Sequence, residues 1–306
     1  MPSDALLNDL SQLVTNELPA RLPNTVAFIV GSNPSKGARS PRLWNAAFNL
    51  LGIDGEMYPL DVGASGLEQL AILLEHDSRV VGVAIAAPYK TEFAKLFEGR
   101  LTVAAARSGS INLLSRAENG RFAGSNTDGL AAVDSLLELK VDLADENILV
   151  LGCGATGRAV IASLIDVVGC GRITVAYRDP QHTEWLQRVG VKYAPIGDVS
   201  SLLGTASIVV NCTSVGWGAQ VDLSPLTISD LGRIPSQSLI FDVVYQPDPS
   251  KLLRDAESLG LRTLSGSRMN LLQAVVAFCA SNPTAVRDRV VEAMRISVVS
   301  SAESKQ

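Results

Sequence analysis

ILVLGCGATGRA, residues 148–159, decides the fold. Four apolar residues, Ile148-Leu149-Val150-Leu151, run into Gly152-Cys153-Gly154-Ala155-Thr156-Gly157, and a helical segment from Arg158 to Leu164 follows. Strand, glycine turn and helix in that order spell G-x-G-x-x-G, the pattern of a dinucleotide-binding turn. The first glycine allows the tight turn, the second lets backbone N–H groups approach a pyrophosphate, and the third lets helix and strand pack closely. The helix N-terminus then faces the phosphate charge. Glycine-rich turns also occur simply as connections, but the strand before and the helix after favour the nucleotide reading. A nicotinamide cofactor is the first expectation, held by Gly152, Gly154, Ala155, Thr156 and Gly157.

Outward from that turn, 306 residues are enough for two domains. A hydrophobic content of 47% supplies a sizeable core and argues against wholesale disorder. The formal charge of −5 leaves no basic footprint for nucleic acid or an anionic membrane. Cys153, Cys170, Cys212 and Cys279 lie far apart in apolar stretches, which reads as buried thiols in a reducing compartment rather than a disulfide framework or a CxxC metal site. With only His76 and His182, a histidine-rich metal centre is excluded and no metal is expected. The start, MPSDALLNDLSQL, has no basic-then-apolar signal pattern. No apolar run reaches the ~18 residues of a membrane helix; a soluble, cytoplasmic protein is expected. Oligomeric state is not written in the sequence.

In chain order, residues 4–18 read as an amphipathic helix and 26–30 as a strand entering the Ser, Gly and Pro-rich loop 32–40. Pro41 opens a helix with Ser40 as its N-cap, ending at Gly52. Residues 56–60 and 80–86 read as strands, and 67–74 and 91–97 as helices. That alternation argues a parallel sheet covered on both faces. Residues 110–114 and Phe122, about the turn Glu118-Asn119-Gly120, form a small hairpin, and a helix follows over 130–139. After the glycine turn come further strands at 173–177, 208–211 and 239–243, then helices over 270–298 with no sheet of their own. The last seven residues, 300–306, read as a frayed tail. The expectation is a two-domain α/β protein. Residues 1–124 with 266–306 bind substrate, and 125–265 form a Rossmann-like nucleotide domain.

Polar residues stand where a purely structural chain would not need them. Lys90, just past a buried strand, reads alone as a solvated lysine at a helix start; Asp128 reads as an N-cap. Asn112 could end a strand, and Gln273 could bond a neighbouring backbone within an apolar helix. In order, however, the segments Ser40-Pro41-x-x-x-Asn45, Pro88-x-Lys90, Gly109-x-x-Asn112 and Gly124-x-Asn126-Thr127-Asp128-Gly129 lead to the glycine turn. Asn211-x-Thr213-x-x-Gly216, Asp242-x-x-Tyr245-x-Pro247 and Gly266-x-x-Met269-x-x-x-Gln273 follow it. This series, spanning residues 26–273, resembles the shikimate/quinate dehydrogenase family.

The resemblance implies NAD(P)-dependent, reversible reduction of 3-dehydroshikimate or 3-dehydroquinate to shikimate or quinate, in a cleft between the domains and within aromatic amino acid biosynthesis. Lys90 would supply or relay the proton and Asp128 would pair with it. Ser40, Asn112, Tyr245 and Gln273 would hydrogen-bond the substrate. Asn211, Thr213, Trp217, Val243, Gly266 and Met269 would complete the cofactor site. Trp217 reads equally as a core tryptophan. A free lysine, with a pKa near ~10.4, is a weak acid at neutral pH. The apolar residues Ala84, Ile85 and Ala86 would lower that value and Asp128 would raise it, a balance the sequence leaves open.

The departures from the family pattern are equally specific. Ser-x-Ser-Pro becomes Ala38-Arg39-Ser40-Pro41, and Asn-Val-Thr-x-Pro-His-Lys becomes Ala84-Ile85-Ala86-Ala87-Pro88-Tyr89-Lys90. His-Asn becomes Trp44-Asn45, and the threonine after Asn112 is Leu113. Each lost hydrogen bond to a charged group is worth ~1.5–3 kcal/mol. Arg39 or Lys36 could substitute as an anion partner. The alternatives are the same chemistry on a less polar, carboxylate-poor cyclic substrate, or a non-catalytic nucleotide-binding sensor. Cofactor choice is written after the second nucleotide-domain strand, at Tyr177-Arg178-Asp179-Pro180-Gln181-His182. Arg178 suits a 2′-phosphate and Asp179 a 2′-hydroxyl, so the signal is mixed; NADP(H) is favoured, with NAD open.

Overall fold

The computed structural model describes residues 4–303, with side chains through Val298, and the chain divides into two compact units. One comprises the residues up to Thr127 together with those from Leu271 onward; the other is Asp128–Asn270. Both divisions fall inside helices, whereas the sequence reading puts its junctions at the glycines 124 and 266.

In the first unit, α1 (Ala5–Leu10) precedes β1 (Thr25–Gly31), α2 (Ser40–Leu51), β2 (Gly55–Asp61), α3 (Leu67–His76) and β3 (Val80–Ile85). Next come α4 (Lys90–Leu96), α5 (Val103–Ser108), β4 (Leu113–Arg116), β5 (Phe122–Ser125) and the start of α6 (Thr127–Glu138). The sheet runs β2-β1-β3-β4-β5, with β1 parallel to β2 and β3. It is not wholly parallel: β4 pairs antiparallel with both β3 and β5, so the small hairpin is the edge of the main sheet.

Alternation along β1 sends Val26, Phe28 and Val30 into one core with Leu10, Leu70, Val83 and Phe93. Ala27 and Ile29 enter the other, with Trp44, Phe48, Val275, Phe278, Val290 and Met294. The ring of Phe278 meets those of Trp44 and Phe48 edge-on at 5.1 and 4.9 Å. Thus α11 (Gly266–Ser281) from Leu271 onward, and α12 (Arg287–Glu303), cover the sheet face that α2 begins. The expected frayed tail is helical as far as Glu303; residues 304–306 lie outside the described residues.

Three local readings are corrected. The first helix stops at Leu10, because Val14 bridges to Val62 and the Thr15 N–H donates to the Asp61 carbonyl. The cap of α2 is Arg39, with Ser40 its first residue and Pro41 its second. Helix α5 was not expected, although Thr102 caps it and Gly109 ends it in a left-handed conformation.

The second unit carries the end of α6, then β6 (Ile148–Leu151), α7 (Ala155–Val168), β7 (Ile173–Tyr177), α8 (Thr183–Val189) and β8 (Lys192–Pro195). They are followed by β9 (Ile208–Asn211), α9 (Ile228–Leu231), β10 (Leu239–Asp242), α10 (Lys251–Ser258), β11 (Arg262–Ser265) and the start of α11. All six strands are parallel, in the order β11-β10-β9-β6-β7-β8. Counted from β6, this is the 3-2-1-4-5-6 order of a doubly wound nucleotide fold, and its order reverses between β6 and β9. Ligands of such sheets bind beyond the strand C-termini at that reversal. The edge strands β8 and β11 escaped the sequence reading.

Candidate active site

The glycine turn lies at that reversal. Gly152 has φ +93°, a conformation that side chains with a Cβ rarely adopt. A Cβ on Gly157 would lie 2.5 Å from the Gly152 carbonyl oxygen, so α7 can approach β6 only without one. A Cβ on Gly154 would meet nothing within 4 Å. Gly154 is also the N-cap of the fourteen-residue α7 and has no side chain to cap it, leaving a concave backbone face at a helix N-terminus.

The neighbouring loops are tied together beneath this face by buried polar groups. Asn211 Nδ2 donates to Asp242 Oδ1 at 2.9 Å, Ser250 Oγ to Asp242 Oδ2 at 2.5 Å, and the Val244 N–H to Asp242 Oδ1 at 3.0 Å. Asn211 Oδ1 accepts from the Thr213 N–H and hydroxyl, at 3.0 and 2.7 Å. Asp242 and Ser250 are fully buried, and burial pushes the Asp242 carboxyl up to about 6 despite its three donors. A Cβ on Gly266 would lie 2.3 Å from the Val243 carbonyl oxygen, which brings Val243, Gly266 and the buried Met269 together. Tyr245 lies half-buried in the same loop, one residue before a cis Gln246-Pro247 bond. Trp217 is 55% exposed, so the core reading of this tryptophan is wrong.

Asp128 is buried beside the turn, with Thr156 Oγ1 at 3.5 Å from Oδ2. It occupies the first turn of α6 rather than its N-cap. A Cβ on Gly129 would lie 2.2 Å from the Ala159 carbonyl oxygen, so α6 presses directly on α7 there. Arg178 is exposed at the end of β7. Both Asp179 oxygens are engaged by Gln181, one by its N–H at 3.0 Å and the other by its side-chain amide at 2.5 Å. Of the cysteines only Cys153 is fully buried; Cys170, Cys212 and Cys279 are partly exposed, against the expectation, and all four are free.

In the first unit the C-terminal ends of β1 and β3 gather a second set. Lys90, half-buried, begins α4 after a cis Ala87-Pro88 bond, and its carbonyl accepts from the Ile111 N–H at 2.9 Å. The next residue, Asn112, is buried, and its amide brackets Thr127: Oδ1 accepts from the Thr127 N–H at 2.8 Å and Nδ2 donates to Thr127 Oγ1 at 2.9 Å. That hydroxyl lies 3.2 Å from the Gln273 carbonyl. The Asn112 amide and the Gln273 carbonyl therefore meet at the Thr127 hydroxyl, while the Lys90 backbone is tied to Ile111, the residue before Asn112.

Ser40 stands at the start of α2, after the loop that the buried Asp61 anchors by accepting from the Ser35 N–H at 2.9 Å and its hydroxyl at 2.5 Å. Asp61 escaped the sequence reading. Its only signal is a carboxylate ending an apolar strand. Asn45, part of the matched pattern, is engaged structurally: Oδ1 accepts from the Met57 N–H at 2.7 Å. Ala38, Ala84 and Ala86 are half-buried against the Trp44–Phe278 core. Among the described residues, no group of three or more His, Cys, Asp or Glu side chains could hold a metal ion, and no helix is long and apolar enough to cross a membrane.

Residues 29–114 match the model of the shikimate dehydrogenase substrate binding domain, and residues 135–218 that of shikimate / quinate 5-dehydrogenase. The NADP(+) shikimate dehydrogenase of Symbiobacterium thermophilum is 32% identical over 269 residues, 85% of this chain and 89% of that protein. The chain belongs to the shikimate dehydrogenase family. The NADP(+) shikimate dehydrogenase of Rhodospirillum rubrum is 33% identical over 85% of this chain and 90% of its own. Among solved structures, shikimate 5-dehydrogenase from Thermus thermophilus in complex with NADP(H) and shikimate superposes with a TM-score of 0.76 at 25% identity. The match covers 89% of this chain and 99% of that one. Family members thus share the two-unit α/β architecture seen here.

Proposed function

We propose that this protein is an NADP-dependent oxidoreductase that interconverts a secondary alcohol and its ketone, with shikimate and 3-dehydroshikimate as the pair. The observation that carries this reading is the open backbone face at Gly154, set at the strand-order reversal of a 3-2-1-4-5-6 sheet. It occurs in a chain whose other unit gathers Lys90, Asn112 and Gln273. The residues fit a dinucleotide. Gly154 leaves room for a pyrophosphate, α7 directs its positive end there, and exposed Arg178 suits a 2′-phosphate.

When bound, the cofactor supplies or accepts the hydride. The rest of the chemistry falls to the protein. In the reducing direction Lys90 delivers a proton to the carbonyl oxygen from Nζ, and in the oxidising direction it receives one. Its entry at the start of α4, fixed by the Ile111 contact, sets where that ammonium can reach. Asp128, buried and beside Thr156, offers a carboxylate to a substrate hydroxyl. Asn112, Gln273, Ser40 and Tyr245 offer amide and hydroxyl groups that orient the ring. Asn211, Thr213, Trp217, Val243, Gly266 and Met269 shape the face that receives the nicotinamide.

One observation favours a second substrate. Ala38, Ala84 and Ala86 present methyl groups that are continuous with an apolar core, which suits a cyclic ketone lacking the carboxylate. The test is absorbance at the reduced-nicotinamide band, with shikimate, quinate and a carboxylate-free cyclic polyol, each with NADP and NAD. Turnover of shikimate with NADP supports the first reading. Turnover of the uncharged polyol alone supports the second. Nucleotide binding without turnover of any alcohol would overturn both.

A further inference from the structure

In the first unit, the segments that carry Lys90 and Ser40 are both tied to one place, Asp61-Val62 at the end of β2. Tyr89, the residue before Lys90, is buried, and its hydroxyl donates to the Val62 carbonyl at 2.6 Å. That bond steps over β1, which lies between β2 and the strand β3 that leads to Tyr89. Tyr89 also caps α4: its carbonyl accepts from the Phe93 N–H at 3.0 Å, and its own N–H donates to the Ala86 carbonyl at 3.1 Å. Asp61 holds the other segment by accepting from the N–H and hydroxyl of Ser35. The junction is itself gripped from both edges of β2. The Val62 N–H donates to the Gly31 carbonyl at 2.9 Å on one side, and the Asp61 N–H donates to Asn16 Oδ1 at 2.7 Å on the other.

We propose that Asp61-Val62 sets the geometry of the alcohol side. Tyr89, through the Val62 carbonyl, is a positioning residue for Lys90, and Asp61, through Ser35, is a positioning residue for the loop that leads to Ser40. This rests on the alcohol–ketone reading above. A lysine side chain is a long flexible stem, so the place where its backbone is fixed decides where its ammonium can reach. Proton transfer needs that ammonium within hydrogen-bond distance of the reacting oxygen, and a misplacement of ~1 Å can cost up to about 100-fold in rate. Histidine, the residue of the family pattern before the lysine, is shorter than tyrosine and would not reach Val62 from the same backbone. The tether therefore comes with the departure Pro88-Tyr89-Lys90.

The two bonds act on different steps. Tyr89 precedes the proton donor, so losing its hydroxyl slows the chemical step and leaves ground-state binding alone. Asp61 shapes a loop beside a binding hydroxyl, so losing its charge weakens the hold on the alcohol in ground state and transition state alike. A tether that acts through Lys90 costs nothing further once Lys90 is gone, whereas one that only supports the fold costs the same with or without it.

The experiment measures kcat, KM and the single-turnover rate of nicotinamide reduction, with NADP and shikimate, or the carboxylate-free cyclic polyol if wild type turns over that alone. The proteins are wild type, Tyr89→Phe, Asp61→Asn, Lys90→Ala and the double variant Lys90→Ala/Tyr89→Phe, with the Kd for NADP as the check that each is folded. Tyr89→Phe is expected to lower kcat and the single-turnover rate about tenfold, with KM and the NADP Kd within about twofold of wild type. Asp61→Asn is expected to raise KM about tenfold with kcat within about twofold. In the Lys90→Ala background, Tyr89→Phe should change turnover by less than about twofold. If Tyr89→Phe does not fold, Tyr89→His, which also lacks the tether, is read in its place against the same expectations. An unchanged kcat in Tyr89→Phe, an equal fall with and without Lys90, or an unmoved KM in Asp61→Asn overturns the assignment while leaving the oxidoreductase reading intact. Wild type that binds NADP but turns over neither alcohol overturns the two together.

Discussion

Gly154→Ala separates the two duties of the glycine turn. At φ −73° and ψ −172° the residue lies in the extended region open to any L-amino acid, and a Cβ there meets no atom within 4 Å. Alanine is a poorer N-cap than glycine by a few tenths to about 1 kcal/mol, but it narrows the unfolded ensemble by about 0.4–1 kcal/mol. The two nearly cancel, so stability should stay within about 0.5 kcal/mol of wild type. The new methyl nevertheless projects from the cap of α7 into the space a pyrophosphate needs. Losing one or two charge-assisted hydrogen bonds of about 1.5–3 kcal/mol each should weaken NADP binding about 30-fold or more.

Gly157→Ala is the contrast. Its Cβ would lie 2.5 Å from one rigid backbone oxygen and 3.4 Å from Cys212 Cβ, so it should destabilise the fold by about 1–3 kcal/mol. Urea unfolding and calorimetric titration with NADP, run on both variants, give the answer. Undiminished NADP affinity in a folded Gly154→Ala protein would refute the cofactor role of the turn. Wild-type stability in Gly157→Ala would refute the close-approach argument.

Lys90→Ala should lower turnover at least ~100-fold, the scale of a lost acid–base group, with the Kd for NADP nearly unchanged; near-normal turnover would remove Lys90 from the mechanism. Thr127→Val keeps shape but deletes the hydroxyl joining Asn112 to Gln273, and should cost about 1–3 kcal/mol in urea unfolding and raise the alcohol KM. If KM is unmoved, the relay serves folding alone. Asp242 predicts a pH signature. Its carboxyl is raised from 3.8 to about 6 by burial, so its contribution favours folding below the unfolded value and is lost as pH rises through about 6. That is on the order of 3 kcal/mol, and the stability of wild type minus Asp242→Asn should move against wild type by roughly that amount between about pH 4 and about pH 7. A pH-independent difference would show that the carboxylate is not held in a low-dielectric site.

The nucleotide unit was legible because its signals are local. An apolar run, a glycine spacing and a helix of small residues leave few other structures for residues 148–164. What escaped depends on partners distant in sequence. Strand β8, Lys192–Pro195, pairs with Thr174–Tyr177 at the sheet edge, and its own residues are mostly exposed and not alternating. The first helix was overextended because Leu13, Val14 and Leu18 continue a helical spacing that the Val14–Val62 bridge overrides. The burial of Asp61 was opaque for the same reason. It differs from a surface aspartate only through the Ser35 N–H and hydroxyl that converge on it from elsewhere in the chain.

The glycine turn of one unit and the Lys90 region of the other are built from different materials, and that governs how each can change. Around the glycine turn, contacts are backbone against helix. Side chains at Gly129, Gly157 or Gly266 would each reach within 2.5 Å of a carbonyl oxygen, so any replacement deforms the fold. Around Lys90 the frame is again hydrogen-bonded backbone and amide, but Ala38, Ala84 and Ala86 lie on the rim of an apolar core. There a methyl in place of a hydroxyl or amide loses a ligand contact while gaining burial, at about 25 cal/mol per Å² of apolar surface. Substitution at those positions is therefore neutral or favourable for folding and is felt only by the bound molecule. The fold therefore resists change at Gly129, Gly157 and Gly266, while the positions of Ala38, Ala84 and Ala86 are open to change at little cost to stability.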